Sequence, residues 1–596
     1  MTLRDRARAY GIQPHYELGG DKECDAPDET LRALLSAFGE DRLPPLETEP
    51  KLQAPEGARC HVPGDGRHWG IALQLYQLRS DRNWGIGDFA DLEVLAGHAA
   101  KAGAAFLGLN PLHAMFLSDP SRCSPFSPSN RRFLNPLYLA VDQVDGFEAR
   151  MVDPAVLRDL RSAELVDYPA VAATKLAVLR MIWALGADLP DDFVADGGAD
   201  LRRHALFEVA SAAMVKAGHG AGWSDWPEPW QDVEGEAICA LAEDRADEIA
   251  FHMWLEYLCQ SQLQALRERC RDLGMAIGLY LDFAVGEAAD GSGSWGSDIV
   301  LPDVRIGAPP DYFNEQGQDW ALAPLSPVAM AATQAAPFRE LIGRATRQAG
   351  ALRIDHAMGL WQLFLMPRGA NPAQGTYARY PIQDMLTALA DASRQNATTI
   401  IGEDLGNVPP GFRSVMEACR ILSYRIFFFE RDEDGFIPPK DYPREALACL
   451  STHDLPTFRG WWRGDDVDLR QRFGFIGEAA AKEQRDSRAT ERRQLLGDLV
   501  QAGHIGAADA AAIGPDDAPP ALITAVHRHL AGAPSRLFAV RLEDLAAELH
   551  PVNVPSTVDE YPNWRRKLSM TLDDLVASPM FHDLLEGVKS QRTAAH

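Results

Sequence analysis

The chain has 596 residues, 46% hydrophobic and 24% charged, a balance that suits a large folded core and excludes bulk disorder. Its 58 basic and 85 acidic residues give a formal charge of −27. That speaks against nucleic acid and anionic membrane surfaces as partners, because both demand clustered Lys and Arg; a neutral substrate fits better.

The N-terminal stretch Met1–Arg8 lacks the apolar core of a signal peptide, and no apolar run is long enough to span a bilayer. The eight cysteines are scattered and form no CxxC pair, so neither a zinc knuckle nor a redox motif is indicated. Reduced thiols in a cytoplasmic protein are the expectation.

In chain order, residues 1 to 50 read as a small helical extension plus linker: Leu31, Leu34, Leu35 and Phe38 stand at helical spacing in the first forty or so, and the Pro-rich Leu43–Pro50 is the linker. From residue 56 onward, eight short apolar runs recur: Gly70–Leu78, Ala104–Asn110, Met275–Asp282, Ala351–Asp355, Thr398–Glu403, Tyr424–Glu430, Ala446–Asp454 and Leu537–Glu543. Continuous apolar runs of this length suit strands buried on both faces of a parallel sheet. Helical patterns separate them, for example Phe89–Ala102 and Ile382–Arg394. Eight alternations of strand and helix predict an α/β fold, a (β/α)8 barrel. Two gaps are too long for simple crossovers, at about 113–270 and 459–535. Their helical stretches (Ala155–Leu165, Ala170–Leu185, Glu243–Leu273, Gly477–Ala502) read as insertions at the barrel rim.

Barrel enzymes carry their chemistry at the C-terminal ends of the strands. Asp355, Glu403 and Asp454 close the fourth, fifth and seventh runs, and Asp282 ends the third. Acids converging on one mouth are what cleavage of a glycosidic bond needs: one carboxylate to attack and one carboxylic acid to protonate the leaving oxygen. Arg353 lies two residues before Asp355, on the same side of its strand, where it would hold Asp355 ionised. Glu403 follows Ile400, Ile401 and Gly402, and an apolar setting would raise its pKa toward use as an acid. Other readings stand beside this one. Arg-x-Asp is commonly a structural ion pair, and an acid after an apolar run is commonly a helix cap. The pairs Asp355-His356 and His453-Asp454 also offer metal-ligand chemistry, although neither has the spacing of the helical His motifs.

On these residues the chain resembles the 4-α-glucanotransferases, or amylomaltases, of glycoside hydrolase family 77, from about Gly70 to about Leu568. Leu352-Arg-Ile-Asp-His356 is similar to the family's nucleophile strand, Ile400-Ile-Gly-Glu-Asp-Leu-Gly406 to its acid/base strand, and Ser451-Thr-His-Asp454 with Arg459-Gly-Trp461 to the strand of the third acid. Further likenesses are Trp84–Phe89, Ser124–Ser129, Asn135–Leu137, Ala308–Phe313 with Gly317–Trp320, and Asn563-Trp-Arg-Arg566. The segment Gly278–Asp282 with Ala284–Gly286 resembles a subgroup common in proteobacteria.

The resemblance implies Asp355 as nucleophile, Glu403 as general acid/base and Asp454 as the acid that grips the distorted sugar. It implies Arg353, His453, Asp282, Trp320, Asp311, Tyr312, Phe313, Phe126 and Trp84 as sugar contacts, α-1,4-glucans and maltooligosaccharides as partners, and no cofactor. Aromatic rings at such places suit the apolar faces of sugars, whereas Trp361, in an apolar pattern, reads as core. Two departures stand out: Phe126 replaces an aromatic with a hydroxyl, and Ser556 replaces a glycine. An amylase-like hydrolase, a non-catalytic glucan-binding barrel and a metal-dependent hydrolase using His356 and His453 are the rival readings. The oligomeric state is not legible.

Overall fold

The computed structural model describes residues 1–18, 22–310, 316–433 and 435–593. Eight strands form one parallel sheet: β1 (His68–Leu73), β2 (Phe106–Leu109), β3 (Gly278–Phe283), β4 (Ala351–Ile354), β5 (Thr399–Gly402), β6 (Ser423–Ile426), β7 (Ala446–Cys449) and β8 (Leu537–Arg541). Their spatial order is β5-β4-β3-β2-β1-β8-β7-β6. The two ends meet where the Leu422 N–H donates to the Ile400 carbonyl at 2.9 Å and the Gly402 N–H to the Leu422 carbonyl at 2.8 Å, which closes the barrel. All eight expected strands are present. Several end earlier than their apolar runs, because the chain turns as soon as it leaves the sheet, as at the 3-10 turn Leu75–Gln77 after β1.

Why these runs form strands follows from burial on both faces. Every residue of β2, β3, β4, β5, β7 and β8 is buried. Alternate residues divide between two cores. Phe106, Tyr280, Ala351, Ile401, Leu447 and Leu537 fill the barrel interior, while Leu107, Leu279, Leu352, Ile400, Ala448 and Phe538 face the surrounding helices. Because the strand period is two, the inward side chains at the ends of these strands must be Asp282, Arg353, Asp355 and Glu403.

Around the barrel run the helices Phe89–Ala102 and Ile382–Asn396, with Pro520–Ala531 packed on Pro579–Thr593. The expected insert helices are found at Pro154–Ser162, Tyr168–Ala184, Ala246–Asp272 and Glu478–Gln501, with further helices at Asp191–Lys216 and Asp465–Arg472. Two satellite cores lie under the first insertion, one around Phe207 and Trp295, the other around Trp84 and Trp254.

Two features were not expected from the sequence. In the first forty residues, the helices Leu3–Ala9 and Asp28–Ala37 flank an antiparallel pair, His15–Leu18 with Lys22–Asp25. The apolar side chains of the second helix join the main core. Beside the mouth, a five-stranded sheet is built from Glu287–Ala288, Gln318–Ala323, Val304–Ala308, Gln362–Pro367 and Thr376–Arg379. Its strand Gln318–Ala323 contains Trp320 of the Gly317–Trp320 likeness. Among the described residues no helix is long and apolar enough to cross a membrane.

Candidate active site

The parallel register between β3, β4 and β5 builds the centre of the site. Arg353 sits opposite Asp282 on one side and Ile401 on the other, so the last inward residues of three strands share one level. The Arg353 guanidinium donates to both oxygens of Asp282, at 2.8 and 2.9 Å, and lies 2.9 Å from Asp355 Oδ1. One buried cation thus bridges two carboxylates. The Tyr424 ring flanks it, with the guanidinium carbon 5.7 Å from the ring centroid. Burial pushes the Asp282 carboxyl up, aided by the nearby Asp355 charge and opposed by Arg353.

Glu403 follows β5 and is 8% exposed. Gly402 before it is packed so closely that a side chain there would meet Ala357 at 3.1 Å and Ile421 at 3.2 Å. The His356 N–H donates to Glu403 Oε2 at 2.9 Å and the Leu405 N–H to Oε1 at 2.8 Å. Burial nevertheless dominates and, against the pull of Arg353 and these two donors, lifts the Glu403 carboxyl to about 7. His356 adopts a left-handed conformation (φ 45°), which turns its N–H toward Glu403. Its half-buried ring stands edge-on to Trp320 at 5.2 Å and is held near 4 by desolvation. The adjoining Asp404 is tied to Ser423 Oγ at 2.7 Å and the Tyr424 N–H at 2.8 Å, which fixes Glu403 against β6.

Asp454 lies beyond β7, its side chain 48% exposed at the open mouth. His453 Nε2 lies 3.2 Å from its Oδ2, and Asn553 Nδ2 donates to its Oδ1 at 2.6 Å. Partial desolvation works against its charge, but His453 and Asn553 hold it down at about 2. The loop bearing His453 is anchored from β8: Arg541 donates to Ser451 Oγ at 2.6 Å and to the Thr452 carbonyl at 2.7 Å. Phe126 stacks on His453 (4.5 Å between centroids, 24° between planes), and Trp564 leans on both at 5.4 and 5.6 Å.

The structure therefore gathers Asp282, Arg353, Asp355, Glu403, His453, Asp454, Phe126 and Trp320 around one mouth. Trp84 departs from the expectation. It is 2% exposed and packs against Phe147 in a satellite core, so it offers no face to a sugar. The cause is local: Asn83 is bound to the Leu78 carbonyl and to Asp91, and Asp88 caps the next helix, which turns the indole beneath the insert helices. Asp311, Tyr312 and Phe313 lie outside the described residues. Trp361 is core, 6% exposed, as expected.

Sequence reasoning missed Asn553 and Trp564 as members of the site. Trp564 lies in the noted motif Asn563-Trp-Arg-Arg566, but nothing in that motif told which ring reaches the mouth. Ser556 has φ 68°, in the left-handed region that favours glycine, which accounts physically for glycine being usual there. Among the described residues no three His, Cys, Asp or Glu side chains converge as a metal-ligand set, His356 and His453 included. The chemistry the arrangement can support is that of an ion-paired carboxylate, a protonatable buried carboxyl and a third acid beside aromatic surfaces.

Comparison with known proteins points the same way. A family model described as 4-alpha-glucanotransferase matches residues 73–572. The chain is 34% identical over 533 residues to a 4-alpha-glucanotransferase of Haemophilus influenzae, covering 85% of this chain and 76% of that one. It is also 34% identical over 554 residues to one of Mycobacterium tuberculosis, covering 89% and 76%. Its fold is similar to that of the amylomaltase from Corynebacterium glutamicum (TM-score 0.85, 26% identity, 98% of this chain and 99% of that one). It also shares the fold of an amylomaltase from Streptococcus agalactiae solved with acarbose (TM-score 0.70, 16% identity, 89% and 100%).

Proposed function

The chain belongs to the 4-alpha-glucanotransferase family, and on that premise we propose that Asp355, Glu403 and Asp454 transfer a segment of a 1,4-α-D-glucan to the 4-hydroxyl of another glucan or glucose. The observation that carries this reading is the contrast between two neighbouring carboxyls. Asp355 is ion-paired with Arg353, whereas Glu403 is buried and lifted to about 7. Environments that treat two carboxyls so differently divide them into nucleophile and acid.

In the first step Asp355 attacks the anomeric carbon while Glu403 gives its proton to the departing glycosidic oxygen. The reducing-end fragment leaves as an alcohol, and the glucosyl unit is esterified to Asp355. In the second step the acceptor 4-hydroxyl attacks that carbon, Glu403 takes back its proton, and Asp355 is released. Two inversions restore the α configuration. Asp454, held ionised by His453 and Asn553, grips sugar hydroxyls and favours the positively charged transition state. Arg353 neutralises Asp355 between turnovers and Asp282 holds Arg353 in place. The rings of Phe126, Trp564 and Trp320 give sugars apolar surfaces, and Asp311, Tyr312 and Phe313 are proposed to contact glucan from the loop beside them. The eight free cysteines suit a reducing compartment, and we place the enzyme in the cytoplasm.

Incubation with maltotriose tests the reaction. Longer oligomers and glucose should appear while the number of reducing ends stays constant. A rising count would make water the acceptor, and no change would leave only a binding protein.

A further inference from the structure

Away from the barrel mouth, a cleft of about 350 Å³ opens between the loop after β1, the end of the helix Pro154–Ser162 and the segment after Trp564. Four cations line it, Arg79, Arg158, Arg161 and Lys567, against a single carboxylate, Asp81. Among the described residues none of the four makes an ion pair with any acid. The setting makes this unusual. The chain carries an excess of acids, and the neighbouring Arg82, whose carbonyl accepts from Arg161, is paired with Asp88, Asp91 and Asp142.

Three of the cations, Arg79, Arg161 and Lys567, are held by backbone carbonyls. Arg79 donates to the carbonyls of Leu568 and Arg161, at 3.3 and 3.2 Å. Arg161 donates to those of Asn83 and Arg82, at 2.6 and 2.9 Å. Lys567 Nζ donates to the carbonyls of Leu160 and Arg161, at 2.8 and 3.3 Å, and is 5% exposed. These carbonyl contacts fix the side chains without a direct ion pair; Asp81, Asp142 and Asp91 act on Arg161 only from a distance. Burial, with Arg79 beside it, lowers Lys567 to about 8, the response of a cation that lacks a counter-charge. Ser162 and Thr571 complete the lining, their hydroxyls donating to the Asp159 carbonyl at 2.9 Å and to Asp574 Oδ2 at 2.7 Å.

We propose that this cleft is a binding site for a phosphate dianion, free or as the phosphate monoester of a small sugar. Preorganised guanidinium and ammonium groups are the donors that phosphate oxygens require, and neutral glucan offers nothing to match them. A short stretch of chain joins the cleft to the catalytic mouth. Lys567 is three residues from Trp564, whose carbonyl accepts from Tyr168 Oη at 2.7 Å and whose ring touches His453 and Phe126. An anion on Lys567 would restrain this segment and alter acceptor binding.

Calorimetry on the full-length protein with inorganic phosphate, and separately with glucose 6-phosphate, tests this at fixed ionic strength, with chloride as the reference. Saturable binding of either is expected. Tighter binding of the ester would identify a sugar phosphate as the ligand, and equal affinities would identify phosphate itself. Arg158 is exposed and, among the described residues, makes no hydrogen bond or ion pair, so Arg158→Glu should fold normally and keep transfer activity in the absence of phosphate. It should bind phosphate about tenfold more weakly, the worth of one charged hydrogen bond. The absence of saturable binding to the unaltered protein, or an Arg158→Glu protein that binds as tightly, would overturn the proposal.

Discussion

Replacing Glu403 by Gln gives a pH-dependent stability change whose size follows from the site. The Glu403 carboxyl is lifted from 4.5 to about 7 by burial. In the folded protein it therefore keeps its proton through a pH window in which the unfolded chain has lost it. A native state that binds the extra proton loses stability as pH rises through that window. Below about pH 4.5 the raised pKa of Glu403 costs no stability; above about pH 7 it costs roughly 3 kcal/mol. A glutamine in its place would carry no such cost at any pH. It would carry a fixed one instead, because the His356 and Leu405 N–H groups both need acceptors and an amide offers a single oxygen. One donor left unsatisfied costs about 1–3 kcal/mol. Urea unfolding of both proteins at pH 5 and pH 8 separates the two effects, since the fixed cost cancels between the two conditions. The stability difference should move by roughly 2–3 kcal/mol in favour of the Gln variant on going to pH 8. A difference that stays the same at both pH values would refute the buried, protonated acid.

Other outcomes follow from the same geometry. Asp355→Asn should abolish turnover while maltooligosaccharide binding by calorimetry persists, since the sugar surfaces remain. The Asn553→Ala change removes the donor to Asp454 and should lower kcat by about ten- to a hundredfold with the circular dichroism spectrum unchanged, the equivalent of a charged hydrogen bond of about 1.5–3 kcal/mol. Trp564→Ala should raise the KM for glucose as acceptor by about two- to tenfold, read from initial rates at fixed donor. The transfer rate should fall as pH rises above about 7, where Glu403 loses its proton, and a profile flat to pH 9 would contradict its role as acid.

The barrel was legible because its strands are buried on both faces. Their apolar runs stand apart from the amphipathic helices, and an acid at the end of such a run must face the mouth. Arg353 was placed correctly by strand period alone, but its second partner, Asp282, depends on the register between β3 and β4, which no local pattern encodes. The N-terminal pair His15–Leu18 and Lys22–Asp25 was missed because its strands are four residues long and lie between two true helices. The rim sheet was missed because its partners are far apart in sequence; Val304–Ala308 pairs with both Gln318–Ala323 and Gln362–Pro367. Trp84 misled because an aromatic residue in a loop next to a strand end reads the same whether it turns toward a substrate or under an insertion. Asn553 and Trp564 enter the site from beyond β8, by tertiary packing against the loop after β7, and a motif alone does not report that contact.

The central claim is that Asp355 carries the glucan between donor and acceptor. Glu403→Gln protein treated with an α-glucosyl fluoride isolates that step, because fluoride departs without an acid while release to an acceptor lacks its base. Peptide mass spectrometry after rapid acid quench should find a hexosyl unit on the peptide containing Asp355. A hexosyl unit on any other residue, or fluoride release with no covalent adduct, would contradict the account.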